Sequence, residues 1–256
     1  MRFDPISYLL GELNNSTSRL HGEDFSDREV FIVGSGPSID KTNLSLISDS
    51  KVILLNSAYQ LAPRFGSNNQ FYWFCQDTRA LLSIGPNVPS SMKKIITIHR
   101  FNRMWQVKAF LGKEDIYLQP KLCLEKPKRK SGRWSSLALK PKFKSNGPLL
   151  HNTGKNRIEL LPSTVMLTAI SIFGGLGASR ITCLGFDLTP PNASEARVSG
   201  HVDQPYQTGK LPIDKIEEFL KGLRKEMEAS GQELVNGSPM THESVLRKVS
   251  QFGKYG

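Results

Sequence analysis

Val30-Phe31-Ile32-Val33 runs straight into Gly34-Ser35-Gly36-Pro37-Ser38-Ile39-Asp40. A short, unbroken apolar run ending at a glycine reads as a strand buried on both faces, which is how strands of parallel sheets look. Working outward, the same form recurs at Lys51–Leu55 (KVILL, ending at Asn56) and at Phe71–Cys75 (FYWFC, ending at Gln76-Asp77). It recurs again at Lys94–Ile98 (KIITI), at Arg180–Leu184 (RITCL, ending at Gly185-Phe186-Asp187) and briefly at Glu233–Val235. Between the early strands lie segments long enough for crossovers, so the strands are expected to run parallel. Ser163–Leu176 reads as an apolar helix closed by Gly177. Ile213–Ser230 carries Ile213, Ile216, Phe219, Leu220, Leu223 and Met227 at helical spacing. The expected fold is α/β: a Rossmann-like, mostly parallel sheet with helices on both faces, in one domain spanning 1–256.

In the turn itself, two glycines flank one small residue directly after a strand. Glycine accepts positive φ and has no Cβ, so backbone N–H groups there can come close to a phosphate. Ser38 adds a hydroxyl, and a helix starting after the turn would add its positive end. The pattern is not a P-loop, because no Gly-Lys-Ser/Thr follows. It is not the dinucleotide fingerprint either: Ile39 stands where the third glycine belongs, and the second strand ends in Asn56 rather than an acid. The alternative reading of the turn is a tight bend and nothing more.

The 256 residues are 38% hydrophobic and 9% aromatic, ordinary for a folded domain of this size. Cys75, Cys123 and Cys183 are widely spaced, which suggests neither a disulfide framework nor a zinc site. The composition and the opening MRFDPISYLLGELNN fit a cytoplasmic protein without a membrane span. The formal charge of +11 points to an anionic partner. It is concentrated in Lys121–Lys144, which has nine Lys/Arg against the single acid Glu125. This stretch sits inside a Pro-, Ser- and Gly-rich segment, 119–150, expected to be a basic lid or insertion. It reads either as a solvated loop or as a surface that docks an anionic acceptor or the inner face of a membrane.

Taken together, the turn GSGPS, the strand ends LLNSAYQ and FCQD, and the later LGASRITCLGFDL with the helix DKIEEFL resemble the bacterial lipooligosaccharide sialyltransferase family. They also resemble a related family that includes an archaeal pterin pyrophosphokinase. The resemblance covers roughly residues 30–80 and 160–240 and skips the middle of the chain. It implies a CMP-sugar donor held by Gly34, Ser35, Gly36, Pro37, Ser38 and Asn56. Gln76, beside Asp77, stands where the family has a second Asn. Ser163 and Thr164 match a Thr/Ser pair at a helix start, and Gly185 and Asp187 match a G-x-D strand end. The family's tyrosines on the leaving phosphate have no counterpart, because Thr189 follows here and the next Tyr is Tyr206. The family's catalytic His matches His201, at a longer spacing from the helix. His151, Asn152, His99, Arg100 and Arg79 are further polar candidates around the strand ends.

Inverting glycosyl transfer needs a base for the acceptor hydroxyl, and a histidine near its ordinary pKa of ~6.5 suits that. No D-x-D metal motif occurs, so the resemblance implies a metal-independent transfer to a cell-surface glycan, with no cofactor besides the donor. The alternatives are a pyrophosphokinase-like transferase using ATP and a metal, and a non-catalytic nucleic-acid-binding protein. Nucleic acid is the least expected partner, since no standard recognition motif is present.

Overall fold

The strand at Val30–Val33 forms as expected and stands near the middle of a parallel sheet. The computed structural model describes residues 20, 22–76, 78–97, 116–118, 165–187, 213–238 and 247–248. Six strands have four or more residues: β1 (Glu29–Val33), β2 (Lys51–Leu55), β3 (Gln70–Cys75), β4 (Lys93–Thr97), β6 (Arg180–Leu184) and β7 (Glu233–Asn236). Two short strands edge them, β5 (Ile116–Leu118) and β8 (Arg247–Lys248), and neither is announced by the sequence. The order is β5-β4-β3-β2-β1-β6-β7-β8, and every pairing is parallel. The chain thus builds outward from β1 to one edge, returns, and builds outward from β6 to the other.

Alternation along each strand sorts side chains into two cores. Val30, Ile32, Ile53, Leu55, Tyr72, Phe74, Ile95, Ile181, Cys183 and Leu234 share one core. That core also takes Leu167, Ile170 and Phe173 of α2 (Val165–Gly175) and Ile216, Leu220, Leu223 and Met227 of α3 (Ile213–Ala229). Phe31, Val33, Val52, Leu54, Trp73, Cys75, Ile96 and Leu184 face the other way. Both strand sets are essentially inaccessible to water, which explains why the strands are continuously apolar rather than alternating.

The two faces are covered differently. One carries the expected helices α2 and α3. On the other, 3-10 turns at Pro37–Lys41, Leu44–Leu46 and Asn56–Arg64, with the short α1 (Thr78–Ile84), supply Ile39, Leu44, Ala58, Leu61 and Leu81 to the core. The helix expected after the glycine turn is therefore a five-residue 3-10 turn. Its residues explain this: Pro37 opens it, the Thr42 hydroxyl bonds back to the Ser38 carbonyl at 3.0 Å, and the Ser45 hydroxyl bonds the Asn43 side chain at 2.7 Å. Such side chains compete with helix propagation. A turn this short adds little axial dipole toward a phosphate. The basic segment 119–150 lies outside the described residues.

Candidate functional site

The sheet's order reverses between β1 and β6, and at such a switch point the two following loops diverge and leave a crevice at the carboxyl ends of the strands. The two loops here are Gly34–Ser38 after β1 and Gly185–Asp187 after β6. They are bonded to each other. Gly34 N–H donates to the Leu184 carbonyl (2.8 Å), Gly36 N–H to the Gly185 carbonyl (3.1 Å) and Ser38 N–H to Asp187 Oδ2 (2.8 Å). A Cβ on Gly36 would fall 2.4 Å from Asp187 Oδ2 and 2.6 Å from the Gly185 carbonyl oxygen; one on Gly34 would fall 2.7 Å from that same oxygen. Gly185 itself sits at φ +61°. The glycines of the turn are thus required by loop–loop contact, whatever else binds.

That contact occupies the amides. Those of Gly34, Gly36 and Ser38 all have protein acceptors, Pro37 has none to offer, and among the described residues only the Ser35 amide of this turn has no acceptor. A phosphate arriving here meets the Ser35 amide and the Ser38 hydroxyl rather than a ring of N–H groups. Beside the turn, Asp187 is held by Ser38. Burial pushes its carboxyl above the usual range, opposed by hydrogen bonding from both the Ser38 hydroxyl and the Ser38 amide.

The sheet continues the polar edge away from the switch point. Asn56, directly after β2, takes φ +48°, a conformation Asn tolerates better than most residues. The buried Trp73 indole N–H donates to its carbonyl at 2.7 Å. Gln76 follows β3, and Thr97 closes β4.

These residues share one property. Among the described residues, four buried side-chain polar atoms have neither a hydrogen-bond nor an ion-pair partner: Asn56 Oδ1, Gln76 Oε1, Thr97 Oγ1 and Thr168 Oγ1. The first three stand at the carboxyl ends of β2, β3 and β4, in line with the Ser38–Asp187 pair in the loops after β1 and β6. Thr168 lies on the first turn of α2, whose start is close to Gly34: the Met166 methyl carbon is 3.3 Å from where a Gly34 Cβ would stand. Buried polar groups are normally bonded, and each one left bare costs about 1–3 kcal/mol.

Of the residues singled out from the sequence, Gly34, Ser35, Gly36, Pro37, Ser38, Asn56, Gln76, Gly185 and Asp187 are brought to this one edge. Asp77, Ser163, Thr164 and His201 lie outside the described residues, as do His99, Arg100, His151 and Asn152. Thr97 and Thr168 were not visible as site residues. A threonine ending a β-rich run, or one inside an apolar helix, reads as a small core residue until its hydroxyl is found without a partner. Compared with family models, curated proteins and solved structures, the chain gives no match. The likeness to the sialyltransferases rests on the short motifs alone.

Proposed function

We propose that the chain is a glycosyltransferase that takes a CMP-sugar donor along the carboxyl edge of the sheet and passes the sugar, with inversion and without a metal, to a cell-surface glycan. The row of polar groups from Asp187 and Ser38 to Asn56, Gln76 and Thr97, the last three with unpartnered side-chain atoms, carries this reading. Strands lie about 4.8 Å apart, so five strand ends from β6 to β4 span roughly 19 Å. A nucleotide joined to a sugar has that reach, whereas a lone phosphate does not. The order that reverses at β1 and β6 favours a Rossmann-like arrangement with the ligand over the switch point. The G-x-G-P-S and G-x-D motifs meet there.

In this reaction the acceptor hydroxyl gives its proton to a base, its oxygen bonds the anomeric carbon, and the bond from that carbon to the phosphate oxygen breaks with its electron pair leaving on CMP. The Ser35 amide and Ser38 hydroxyl can hydrogen-bond the phosphate as charge collects on it. Asp187 fixes the turn through the Ser38 amide. We assign the base role to His201 on the strength of the motif likeness. The charge of +11, concentrated in 121–144, suits a phosphorylated acceptor at an anionic membrane face.

A thermal-shift series with CMP, CDP, UDP, GDP, ATP and NAD, each in Mg²⁺ and in EDTA, tests the reading. Saturation to a hundred times Kd stabilises by about 2.7 kcal/mol. CMP raising Tm in EDTA is the expected result. ATP acting only with Mg²⁺ would move the assignment to a pyrophosphokinase-like transferase, and silence from all six would sink the nucleotide reading. With binding established, His201→Ala is expected to keep the CMP shift and lose transfer.

A further inference from the structure

The far end of the polar edge holds a residue that the motifs do not explain, Thr97, next to one that they do, Gln76. Cys75 of β3 stands in register with Ile96 of β4, so the next positions along, Gln76 and Thr97, are neighbours. Phe74 and Ile95 belong to the core under α2 and α3, while Cys75 and Ile96 belong to the opposite one. Two residues on from Ile95 and still within β4, Thr97 returns to the α2 side, with Gln76 directly after the end of β3 beside it.

Thr97 is only 3% exposed, and its Oγ1 has no partner among the described residues; nor does Gln76 Oε1. Valine has the shape of threonine, favours strands as strongly, and would bury here without a desolvated hydroxyl. For folding alone, valine is the better residue. Two such groups side by side on adjacent strands, at the edge where the ligand is proposed to lie, are polar groups kept for something other than the core.

We infer that Thr97 and Gln76 form a subsite that reads the uncharged hydrogen-bonding edge of the ligand, its nucleoside, rather than its phosphate. Neither side chain carries charge, and an ionised group set against two buried neutral ones would lose its water without an opposite charge in return. The residues suited to the phosphate, Ser35 and Ser38, lie across β2 at the β1 end of the row. This inference rests on the nucleotide reading above and assigns one part of the ligand to one part of the site.

The experiment measures cytidine and CMP binding by calorimetry to the wild-type protein, Thr97→Val and Thr97→Ser, together with the ligand-free Tm of each. Thr97→Val is expected to weaken cytidine and CMP alike, by about five- to ten-fold, as one hydrogen bond to a neutral group is lost. Its ligand-free Tm is expected to equal or exceed that of the wild type. Thr97→Ser keeps the hydroxyl and is expected to bind nearly as the wild type does, despite a lower Tm. A Thr97→Val protein with unchanged affinity overturns the subsite, as does one that loses CMP but not cytidine. A marked fall in its ligand-free Tm makes Thr97 a structural residue and overturns it too. Wild-type protein that ignores both compounds rejects the nucleotide reading itself, and the nucleoside assignment goes with it.

Discussion

At the amino end of the sheet, Glu23 reaches across three strands. Its carboxylate accepts from the Tyr72 hydroxyl at 2.8 Å and pairs with the Lys93 ammonium, while Lys51 donates to the Glu23 carbonyl and sits 4.5 Å from the centre of the Phe25 ring. On β6, Arg180 lies between Glu29 and Glu233, and Thr182 donates to Glu29. The carboxyl end is the opposite. There the loops after β1 and β6 are stitched together, but among the described residues a polar atom of Asn56, Gln76 and Thr97, at the ends of β2, β3 and β4, has no partner. The same sheet thus satisfies its polar groups at one end and leaves them bare at the other. A fold selected for stability alone has no reason for that asymmetry; a fold that must receive a polar ligand does.

The comparison breaks most visibly at the one tight place on the carboxyl end. Gly36→Ala puts a methyl group 2.4 Å from Asp187 Oδ2 and 2.6 Å from the Gly185 carbonyl oxygen. The first could swing away, but the second is backbone and cannot without breaking the Gly36–Gly185 hydrogen bond. A loss of about 2–4 kcal/mol is expected, read from the urea midpoint. If Gly36→Ala keeps wild-type stability, the two loops are not spliced as described, and the amides are open to a phosphate after all.

The amino end is expected to yield less. Glu23→Ala strands the half-buried Lys93 ammonium and the hydroxyl of the buried Tyr72, for a cost of about 1–3 kcal/mol. Its pH dependence sharpens the contrast. Burial raises the Glu23 pKa, but hydrogen bonds from Lys93 and Tyr72 and the charges of Lys93 and Lys51 outweigh it, and the group ends below its ordinary value. A lowered carboxyl pKa gives stability that is present above the unfolded value and is lost as pH falls through the folded one. Wild type and Glu23→Ala should therefore converge in stability on acidification. Parallel curves would mean that the pair contributes no charge-dependent stability.

Much of this architecture could be read in advance, and the exceptions have physical causes. KVILL and RITCL form strands with the bounds expected, because a strand buried on both faces needs no register to be recognised. The three residues of β5 and the two of β8 are too short to carry any period. The 3-10 turns depend on Pro37, Pro63 and side chains such as Thr42 and Asn43 that draw hydrogen bonds away from a helix. At the site, the positions of Gly34–Ser38, Asn56, Gln76 and Asp187 at strand ends follow from the strands. What the glycines are for does not. Room for a phosphate and room for a neighbouring loop ask the same of a glycine, and the loop in question is about 150 residues away along the chain. Thr97 is hidden for a similar reason, since only the folded core shows that its hydroxyl is bare.

The smallest expected effect is the most discriminating. Asn in place of Asp187 can still accept from the Ser38 amide, but it removes a carboxylate that burial holds above its ordinary pKa. A raised carboxyl pKa has the sign opposite to that of Glu23: the folded state holds its proton longer than the unfolded one. Stability is therefore lost as pH rises from the unfolded value through the raised one, and stays lost at neutral pH. Asp187→Asn is expected to gain less than about 1 kcal/mol near neutrality and to remove that slope, as followed by Tm against pH. The same variant should bind CMP less well if Asp187 Oδ1 meets a donor on the ligand. A stabilised protein with weakened binding is what a polar edge held ready for a ligand predicts, whereas a destabilised one would place Asp187 with Glu23 among the groups that hold the sheet together.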